Sequence, residues 1–439
     1  MSVGIGTGAT GALARARELM RLGSLDAADT MVNDALERAP RDADALQVRG
    51  EIANLRRDHA SAIVALREAI AIRPALTTAW LELANAHARL DQCAAAANAY
   101  YEVLAREPSW PDAHFNLGLM QKRLGDRMAA ARSFYEAWSR DAKLFDAAGF
   151  CVATLAECVR EGDRVAAAPP MKPDAAPMSI SVVICSIDDT KHDRAAALYR
   201  RLFSQMTSQM SSQAAAPVRH EIISIRNARS LAEAYNWAVR KSVADVIILS
   251  HDDVDILAED FGARLLHHLR SLDVLGVVGS TRAGGPTVGW SGHPHLRGWI
   301  THHSPAGAQW QVDLLDHRAV AGDISVLDGV FLAARREVLR AVRFDADVFD
   351  GFHVGDIDWS LRAARAGFRL GVAADLGLVH TSRGNYDATW ERYAERFSLK
   401  HSLGAKPPAP SFFFGARLDS VDEVRAFFGL LLGLGTTKA

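Results

Sequence analysis

A 34-residue repeat in the first third of the chain constrains its fold more than any other feature of the sequence. Proline recurs at this interval, at Pro40, Pro74 and Pro108. Apolar residues recur with it, at Ala28, Ala62, Ala96 and Ala130, at Val32, Leu66, Tyr100 and Phe134, and at Ala35, Ala69, Val103 and Ala137. This period is typical of stacked helical hairpins, in which small residues let two helices approach and proline ends the second helix.

The repeated pattern resembles that of tetratricopeptide repeats (TPR). Four repeats are predicted between Ala9 and Leu144, with Phe145–Arg160 as a capping helix, which gives a repeat domain over residues 9–161. Because no single hairpin buries enough apolar surface, the repeats are expected to stack into an α-solenoid. The resemblance implies a concave groove that binds a protein partner; the alternative is a solenoid that only supports the second domain or mediates self-association. Candidate groove residues are His87, Asn116, Gln121 and Arg123.

A histidine and several carboxylates follow a predicted strand near the middle of the chain. Residues 244–250 have the apolar pattern of a buried strand, and His251, Asp252, Asp253 and Asp255 come directly after it. In an open α/β sheet, ligands bind beyond the carboxyl ends of the strands. Carboxylate and imidazole ligands suit a divalent cation that also binds substrate phosphates. The alternative is an Asp-rich turn that caps the next helix.

Residues 179–403 resemble glycosyltransferase family 2, whose members are nucleotide-sugar enzymes of GT-A fold. Six segments match in the order of the family, namely residues 180–186, 220–225, 230–236, 251–253, 327–336 and 355–362. The expected fold class is therefore a multidomain α plus α/β chain, with an N-terminal TPR α-solenoid followed by a Rossmann-like GT-A domain. Residues 162–178, rich in Ala and Pro, are predicted to be the linker, and residues 404–439 a C-terminal tail with a helix.

The resemblance implies transfer of a sugar from a nucleotide-sugar donor, expected to be a UDP- or dTDP-sugar, to an acceptor hydroxyl, with inversion at the anomeric carbon. Asp356 is the expected base, and a divalent metal, Mn or Mg, is expected on Asp253, His380 and His251. The expected donor contacts are Ser186, Asp188, Arg226, Asn236, Asp252 and Asp253. The expected acceptor contacts are Asp328, Gly329, Trp290, His353 and Asp358.

The chain departs from the family pattern at two positions. His251 stands where the family usually has the first aspartate of an Asp-x-Asp motif, so Asp253 is the expected main metal ligand. Gly355 stands where a glutamate commonly precedes the base, so the base lacks an acidic neighbour. Three alternatives stay open, namely helix capping by Asp356 or Asp358, a core position for His380, and turn chemistry at Asp328.

Composition limits the classes of partner and the cellular compartment that are expected for this chain. Lys plus Arg number 50 and Asp plus Glu number 52, so no basic surface for nucleic acid is expected. No apolar stretch approaches the roughly 18 residues of a transmembrane segment, and the first residues lack the pattern of a signal peptide. Four scattered cysteines indicate a reducing compartment. The prediction is a cytoplasmic bacterial protein, with peripheral contact to the inner membrane as the alternative.

Three further segments carry predictions. Residues 204–217 are predicted to be a mobile insertion after the first helix of the second domain. Residues 284–323 have much Gly, His and Trp and little periodicity, which predicts an acceptor-side loop that acts as a lid. The apolar segment Phe427–Leu434, with Ser420 as a cap and Glu423 three residues on, predicts a packed helix or a foothold on a membrane surface.

The fusion of a solenoid to a transferase favours a protein acceptor recruited by the repeats, such as flagellin or another surface protein. One alternative is a transferase acting on lipid-linked or polysaccharide acceptors. The other is a non-catalytic TPR scaffold with a degenerate glycosyltransferase domain that no longer binds metal.

Overall fold

The computed structural model describes residues 6–163, 178–211, 219–303, 309–382, 384, 386–403 and 413–435. The chain divides into two compact units, Met1–Thr154 and Leu155–Ala439. The predicted linker at 162–178 lies outside the described residues except at its two ends. The predicted domain limits within this stretch therefore stay predictions.

Paired helices build the first unit. Along the chain they are α1 (Gly6–Arg21), α2 (Leu25–Arg38), α3 (Ala43–Leu55), α4 (His59–Ile72), α5 (Thr77–Arg89), α6 (Cys93–Arg106), α7 (Pro111–Arg123), α8 (Arg127–Arg140) and α9 (Phe145–Arg160). The helices pack in consecutive pairs, α1 with α2, α3 with α4, α5 with α6 and α7 with α8. Pro40, Pro74 and Pro108 lie just after α2, α4 and α6. The array confirms the predicted helical repeats.

Small residues set the close approach within the pairs. A Cβ atom at Gly50 would lie 2.4 Å from Cγ of Leu66, and one at Gly118 would lie 2.7 Å from the ring of Phe134. The Phe134 ring also lies 5.2 Å from that of Phe150 on α9, measured between centroids. This contact continues the apolar core of α7 and α8 into α9, so α9 covers the last pair.

Two of the four candidate groove residues are buried instead. His87 is 4% exposed and Gln121 is 6% exposed, and Gln121 donates to the hydroxyl of Tyr101 on α6 over 2.9 Å. They lie on the sides of α5 and α7 that pack on neighbouring helices, so their polar groups bond within the solenoid. Asn116 and Arg123 do line an open groove, as predicted.

The second unit is an α/β domain with two mixed sheets. Its strands are β1 (Ile180–Cys185), β2 (His220–Ile225), β3 (Val246–Ser250), β4 (Val254–Ile256), β5 (Val274–Gly276), β6 (Val278–Ser280), β7 (Leu296–His303), β8 (Trp310–Leu314), β9 (Val320–Ile324), β10 (Val326–Leu327), β11 (Phe331–Arg335), β12 (Leu370–Ala373), β13 (Leu378–His380) and β14 (Phe414–Leu418). Its α-helices are α10 (Asp189–Ser211), α11 (Leu231–Lys241), α12 (Phe261–His268), α13 (Arg336–Ala341), α14 (Gly355–Arg365), α15 (Ala388–His401) and α16 (Val421–Gly435).

Parallel pairing at the start of the domain determines where the site forms. The first sheet has the order β2-β1-β3-β11-β5-β12-β9, and β1 is parallel to both β2 and β3. The carboxyl ends of these three strands therefore meet at one edge, where ligands bind in such sheets. The second sheet has the order β10-β6-β7-β13-β4, with β8 on β7 and β14 on β8. The arrangement confirms the expected GT-A type of α/β fold.

Two segments predicted to be irregular contain regular structure. Helix α10 continues to Ser211, well into the predicted insertion at 204–217, and residues 212–218 lie outside the described part. The predicted loop at 284–323 contains β7, β8 and most of β9. The buried positions of β7 include Gly298, Trp299 and Thr301 instead of a regular row of aliphatic side chains. The sequence therefore lacks the alternating apolar pattern that would have predicted this strand.

The C-terminal helix α16 is packed into the second unit. Its apolar residues Val424, Phe427, Leu430, Leu431 and Leu434 are buried. The Ser420 hydroxyl accepts the Glu423 N–H over 3.1 Å, and a Glu423 carboxylate oxygen accepts the Asp419 N–H over 2.8 Å. The Ser420 cap and the buried apolar face agree with the packed helix predicted for the segment. No described helix is long and apolar enough to cross a membrane.

Candidate active site

Strand pairing brings two distant segments together at the carboxyl end of β3. His251 follows β3 directly, and β4 pairs antiparallel with β13 so that His380 lies opposite Val254. The Thr381 N–H donates to the carbonyl of Asp253 over 3.0 Å. Buried apolar residues of both strands fix this register, because a slip of one residue would expose them. The His380 imidazole is thereby held beside the Asp253 carboxylate.

His251, Asp253 and His380 form a cluster with the ligand set of a metal site. One ligand atom of each lies within 4.8 Å of the others. His380 Nε2 is 3.1 Å from Asp253 Oδ1, yet this buried oxygen accepts no hydrogen bond from any described residue. A buried carboxylate oxygen without a hydrogen bond is unfavourable, and a cation relieves that cost. The residues therefore fit a divalent cation, and two imidazoles with one carboxylate suit a borderline ion better than Mg²⁺, which prefers oxygen ligands.

Electrostatics favour the metal-binding forms of Asp253 and His251. Burial raises the pKa of Asp253, but the contact with His380, the N–H of Ser382 and the charge of His251 outweigh burial and hold that pKa well below its usual range. Burial lowers the pKa of His251, and the positive charge of His380 lowers it further. At neutral pH the carboxylate is therefore ionised, and His251 has a lone pair available for a metal.

His302 is a further histidine of this site. Its ring centroid is 5.5 Å from that of His380, and its Nδ1–H donates to the carbonyl of Ser382 over 2.9 Å. Burial lowers the pKa of His302, so the ring is neutral and its Nε2 is an acceptor. Sequence reasoning placed His302 in the predicted loop. The missing information was the pairing of β7 with β13, which sets His302 opposite His380.

Asp356 lies in the first turn of α14, packed against Gly329. A Cβ atom at Gly329 would lie 2.4 Å from Asp356 Oδ2, so only glycine fits at that position. Burial, together with the charge of Asp328, raises the pKa of Asp356 to about 7, against the opposing effect of three backbone N–H groups. A carboxylate with a pKa near neutral pH is suited to accept a proton from a hydroxyl.

One cleft of about 560 Å³ is lined by both histidines of the cluster and by Asp356. Its lining includes His251, His380, Asp328 and Asp356. The charge of Asp328 acts on both His251 and Asp356, which places Asp328 near both groups. The cleft can therefore hold a negatively charged leaving group through a cation and take up a proton within the same space.

A family model described as a glycosyltransferase-like family matches residues 181–401, half of the chain. The matched range contains His251, Asp253, Asp356 and His380. The chain belongs to this glycosyltransferase-like family. A search of curated proteins found no match.

Three similar solved structures are distant from this glycosyltransferase. MamA from Desulfovibrio magneticus RS-1, in a form described as 41-end, is 18% identical, with a TM-score of 0.33 over 36% of this chain and 89% of that chain. TTC0263, a TPR protein of Thermus thermophilus, is 19% identical, with a TM-score of 0.29 over 35% of this chain and 84% of that chain. YrrB, described as a TPR protein with an unusual peptide-binding site, is 18% identical, with a TM-score of 0.32 over 35% of this chain and 77% of that chain. The repeat assignment depends on the helical pairs of this chain and on their 34-residue period.

Three expected donor contacts of the glycosyltransferase lie at the predicted edge of the sheet. Ser186, directly after β1, donates its hydroxyl to the carboxylate of Asp252, just beyond the end of β3. Asp188 is exposed and accepts the Lys191 N–H over 3.0 Å in the first turn of α10. These side chains lie where ligands bind in a sheet of this topology.

Two expected donor contacts bond elsewhere in the structure. Asn236 Nδ2 donates to the carbonyl of Phe344 over 2.8 Å, and its Oδ1 accepts the Phe344 N–H over 3.0 Å. Both hydrogen-bonding groups of the Asn236 amide thus help to hold the chain before α14, and its contact with the donor stays a prediction. Arg226 is paired with Asp189 and Asp193, so its charge is partly neutralised.

Some of the expected acceptor contacts line the cleft and others do not. Asp328, Gly329 and His353 line the cleft. Trp290 does not line it: its ring covers Gly285 and lies 6.5 Å from that of Trp390, which does line the cleft. Trp290 therefore supports the cleft wall and is not itself a contact surface.

Asp358 is a structural residue, which corrects its assignment to the acceptor. Its side chain is fully buried and lies 2.8 Å from Arg362 Nη2, 2.7 Å from Lys400 Nζ and 2.8 Å from His401 Nε2. Two residues along a helix are about 200° apart around its axis, because the α-helix has 3.6 residues per turn. Asp358 therefore faces α15 while Asp356 faces the cleft.

Exposed aromatic residues of the cleft were not singled out from the sequence. Phe352, Tyr386 and Phe413 all line the cleft and are 49%, 64% and 48% exposed. Large aromatic side chains are normally more buried than this. They lie in segments without strand or helix pattern, so periodicity gave no signal for them. Their exposed faces offer a surface on which an apolar ring face can stack.

Proposed function

We propose that this glycosyltransferase moves a sugar from a nucleotide-sugar donor to a hydroxyl of a protein acceptor, with a divalent cation and with inversion at the anomeric carbon. The observation that carries the proposal is that His251 and His380, which form a cluster with Asp253, line the same cleft as Asp356. Such a transfer needs both a base for the attacking hydroxyl and a positive charge for the departing diphosphate. Membership of the family supports the sugar transfer itself.

Asp356 acts as the base. With a pKa of about 7 it is partly ionised at neutral pH, yet basic enough to take the proton of the attacking hydroxyl. General base catalysis of this kind typically contributes about 10² to 10⁴ in rate. Asp328, whose charge raises that pKa, accepts a hydrogen bond from a second hydroxyl of the acceptor and orients it.

His251, Asp253 and His380 are the residues that would hold the cation. When bound, a divalent cation at this position neutralises negative charge on the departing diphosphate. The remaining residues hold the ligands in place. The Ser382 N–H donates to Asp253 Oδ2 over 3.2 Å, and His302 bonds the Ser382 carbonyl, so this turn is tied on two sides. Ligands that are fixed in this way need little rearrangement when the ion binds.

The fused repeats support a protein acceptor. An open groove of about 650 Å³ lies on the helical unit and is lined by side chains of several repeats. An enzyme that acted only on small soluble sugars would gain little from such a surface, whereas a protein substrate would be held on the same chain as the cleft. A bacterial surface protein such as flagellin is a suitable test acceptor, with UDP- and dTDP-sugars as the first donors.

One observation favours a second candidate, transfer to a sugar hydroxyl of a glycan or a lipid-linked saccharide. Phe352, Tyr386 and Phe413 expose their rings in the cleft, and an aromatic face stacks well on the apolar face of a sugar ring. Faster transfer to extracted lipid-linked saccharides than to protein acceptors would select this candidate.

The test is release of nucleotide from a panel of UDP- and dTDP-sugars, with and without Mn²⁺, by the full chain. Asp356→Asn should lower the rate about 100-fold or more. Asp347→Asn is the matched control, because Asp347 is exposed and lies outside the cleft on the same segment. Nucleotide release no faster than the uncatalysed background, in wild type and Asp356→Asn alike and with or without Mn²⁺, would leave only a non-catalytic scaffold. Equal rates above that background would show that Asp356 is not the base.

A further inference from the structure

The groove of the repeat unit has a chemical polarity that the proposed function does not use. Its lining includes the charged residues Glu51 and Glu82 from α3 and α5, and Arg89 and Arg123 from the carboxyl ends of α5 and α7. The acidic pair and the basic pair are therefore displaced from each other across the groove. We infer that this groove binds an extended peptide segment whose basic side chain meets Glu51 and Glu82 and whose acidic side chain meets Arg89 and Arg123.

The acidic end lacks a strong counter-charge. Glu82 accepts the Asn54 amide over 2.8 Å but has no ion-pair partner among the residues that the structure describes. Glu51 has one, Arg17, whose Nε is 3.6 Å away on a side chain that is 44% exposed. A long, exposed pair of this kind is weak. A lysine or arginine of a bound peptide could therefore pair with both carboxylates and would have to replace only the weak ion pair between Arg17 and Glu51.

Burial strengthens this preference for a cation. Burial raises the pKa of Glu82, and the like charge of Glu51 raises it further, so the two carboxylates lie close enough to repel each other. A positive charge placed between them would relieve the repulsion. The hydrogen bond from Asn54 shows that Glu82 is already held in position for such a ligand.

The basic end is accessible to an anion. Arg89 is exposed and has no ion pair within the described part of the chain. Arg123 is paired with Asp91, whose side chain is 72% exposed, so water screens this pair strongly. Arginine suits carboxylate recognition because its planar group donates two parallel hydrogen bonds.

Amide side chains between the two ends suit a peptide backbone. Asn54, Asn85 and Asn116 line the groove and are spaced by 31 residues, three fewer than the repeat, so each lies about one turn earlier in its helix than the last. They therefore cross the groove on a diagonal. Asn54 donates to Glu82, and Asn85 accepts the Tyr100 hydroxyl over 2.7 Å, whereas Asn116 has no hydrogen bond to any described residue. The Asn116 amide is therefore the one that can both donate to and accept from a peptide unit.

Apolar residues and dimensions agree with an extended segment. Met20, Leu55, Leu119 and Met120 lie among the polar lining and offer contacts to apolar side chains. Three neighbouring helices at about 8–10 Å spacing span roughly 20 Å, which is the length of about six extended residues. The inference rests on the proposed function only in naming the bound segment as part of the acceptor protein.

Peptide selection on the full chain tests the inference without any need for catalysis. Random octapeptides displayed on phage would be selected against the purified protein. We expect enriched sequences to carry Lys or Arg and Asp or Glu at a constant separation and in one order. The variant Asp356→Asn should select the same sequences, so a failure of sugar transfer would not affect this result. No enrichment, or enrichment without a fixed charge order, would overturn the inference.

Matched variants then assign each end of the selected peptide. Glu82→Gln keeps an acceptor for Asn54 and should weaken binding about tenfold, but should have no effect on a peptide whose basic residue is replaced by alanine. Arg89→Ala should likewise weaken binding of the selected peptide, but should have no effect on a peptide whose acidic residue is replaced by alanine. Arg38→Ala, at the exposed end of α2 outside the groove, is the control. Equal losses with and without the peptide charges would also overturn the inference.

Discussion

The contact between Gly329 and Asp356 gives the sharpest test of the catalytic assignment. In Gly329→Ala the new Cβ atom would lie 2.4 Å from Oδ2, 2.5 Å from Cβ and 2.6 Å from Cγ of Asp356, whereas ordinary contacts begin at 3.4 Å. The carboxylate must therefore move by about 1 Å, and because its own Cβ is involved, rotation of the side chain is not enough. A displacement of about 1 Å from a reactive geometry costs about 10²-fold in rate.

We therefore expect kcat/KM of Gly329→Ala to fall about 100-fold, equivalent to about 2.7 kcal/mol of transition-state stabilisation. Steady-state transfer at saturating Mn²⁺ measures the loss, and Mn²⁺ affinity should be unchanged because the cluster is not touched. Gly322→Ala is the control, since a Cβ atom there meets no atom within 4 Å. The reasoning is refuted if Gly329→Ala stays within about threefold of wild type while Asp356→Asn is inactive.

Four further predictions concern the pH dependence of activity, the pH dependence of stability, metal binding, and the buried carboxylate of Asp358. The value of kcat/KM should rise with pH through about 7 as Asp356 loses its proton. Asp328→Asn should move this rise to lower pH because it removes a like charge near Asp356. An unshifted pH profile in this variant would contradict the prediction. The free energy of unfolding should fall as pH rises, opposite to the activity. The pKa of Asp356 in the folded state exceeds its ordinary value of 3.8, so its contribution to stability is full below pH 3.8 and is lost as pH rises through about 7. In urea titrations at several pH values, the free energy of unfolding of Asp356→Asn should therefore decline less with pH than that of wild type. EDTA should stop transfer, and added Mn²⁺ should restore it. His380→Ala should weaken Mn²⁺ binding by about tenfold or more in calorimetry. Unchanged Mn²⁺ affinity would show that His380 is only a core residue. Asp358→Asn should lower the free energy of unfolding by about 3 kcal/mol in urea while the folded fraction keeps its kcat, because it removes the buried charge that Arg362 and His401 contact.

Local patterns predicted much of the fold. The 34-residue period determined the paired helices, because each proline ends a helix and each small residue permits a close approach. The apolar runs at 180–186 and 220–225 became β1 and β2. The cluster after β3 was predictable in part, since the carboxyl ends of parallel strands share an edge. What joined His380 to it was the resemblance, and the structure supplies the physical cause in the pairing of β4 with β13.

Side-chain direction was not predictable in the same way. The resemblance gave sequence positions for Asn236 and Asp358 but not the bonds that hold Asn236 to Phe344 and Asp358 to α15. For Asp358 a signal existed, because helical geometry separates it from Asp356 by more than half a turn. For His302 none existed, because its neighbour His380 is brought near only by the non-local pairing of β7 with β13.

The pairing of β4 with β13 also has a consequence during protein synthesis. Asp253 leaves the ribosome 127 residues before His380, an interval of about 6–25 s at elongation rates of about 5–20 residues per second. During that time the nascent chain holds one carboxylate and one imidazole of the set but not the third group. The proposed cation site therefore cannot be complete before the strand that carries His380 has been translated.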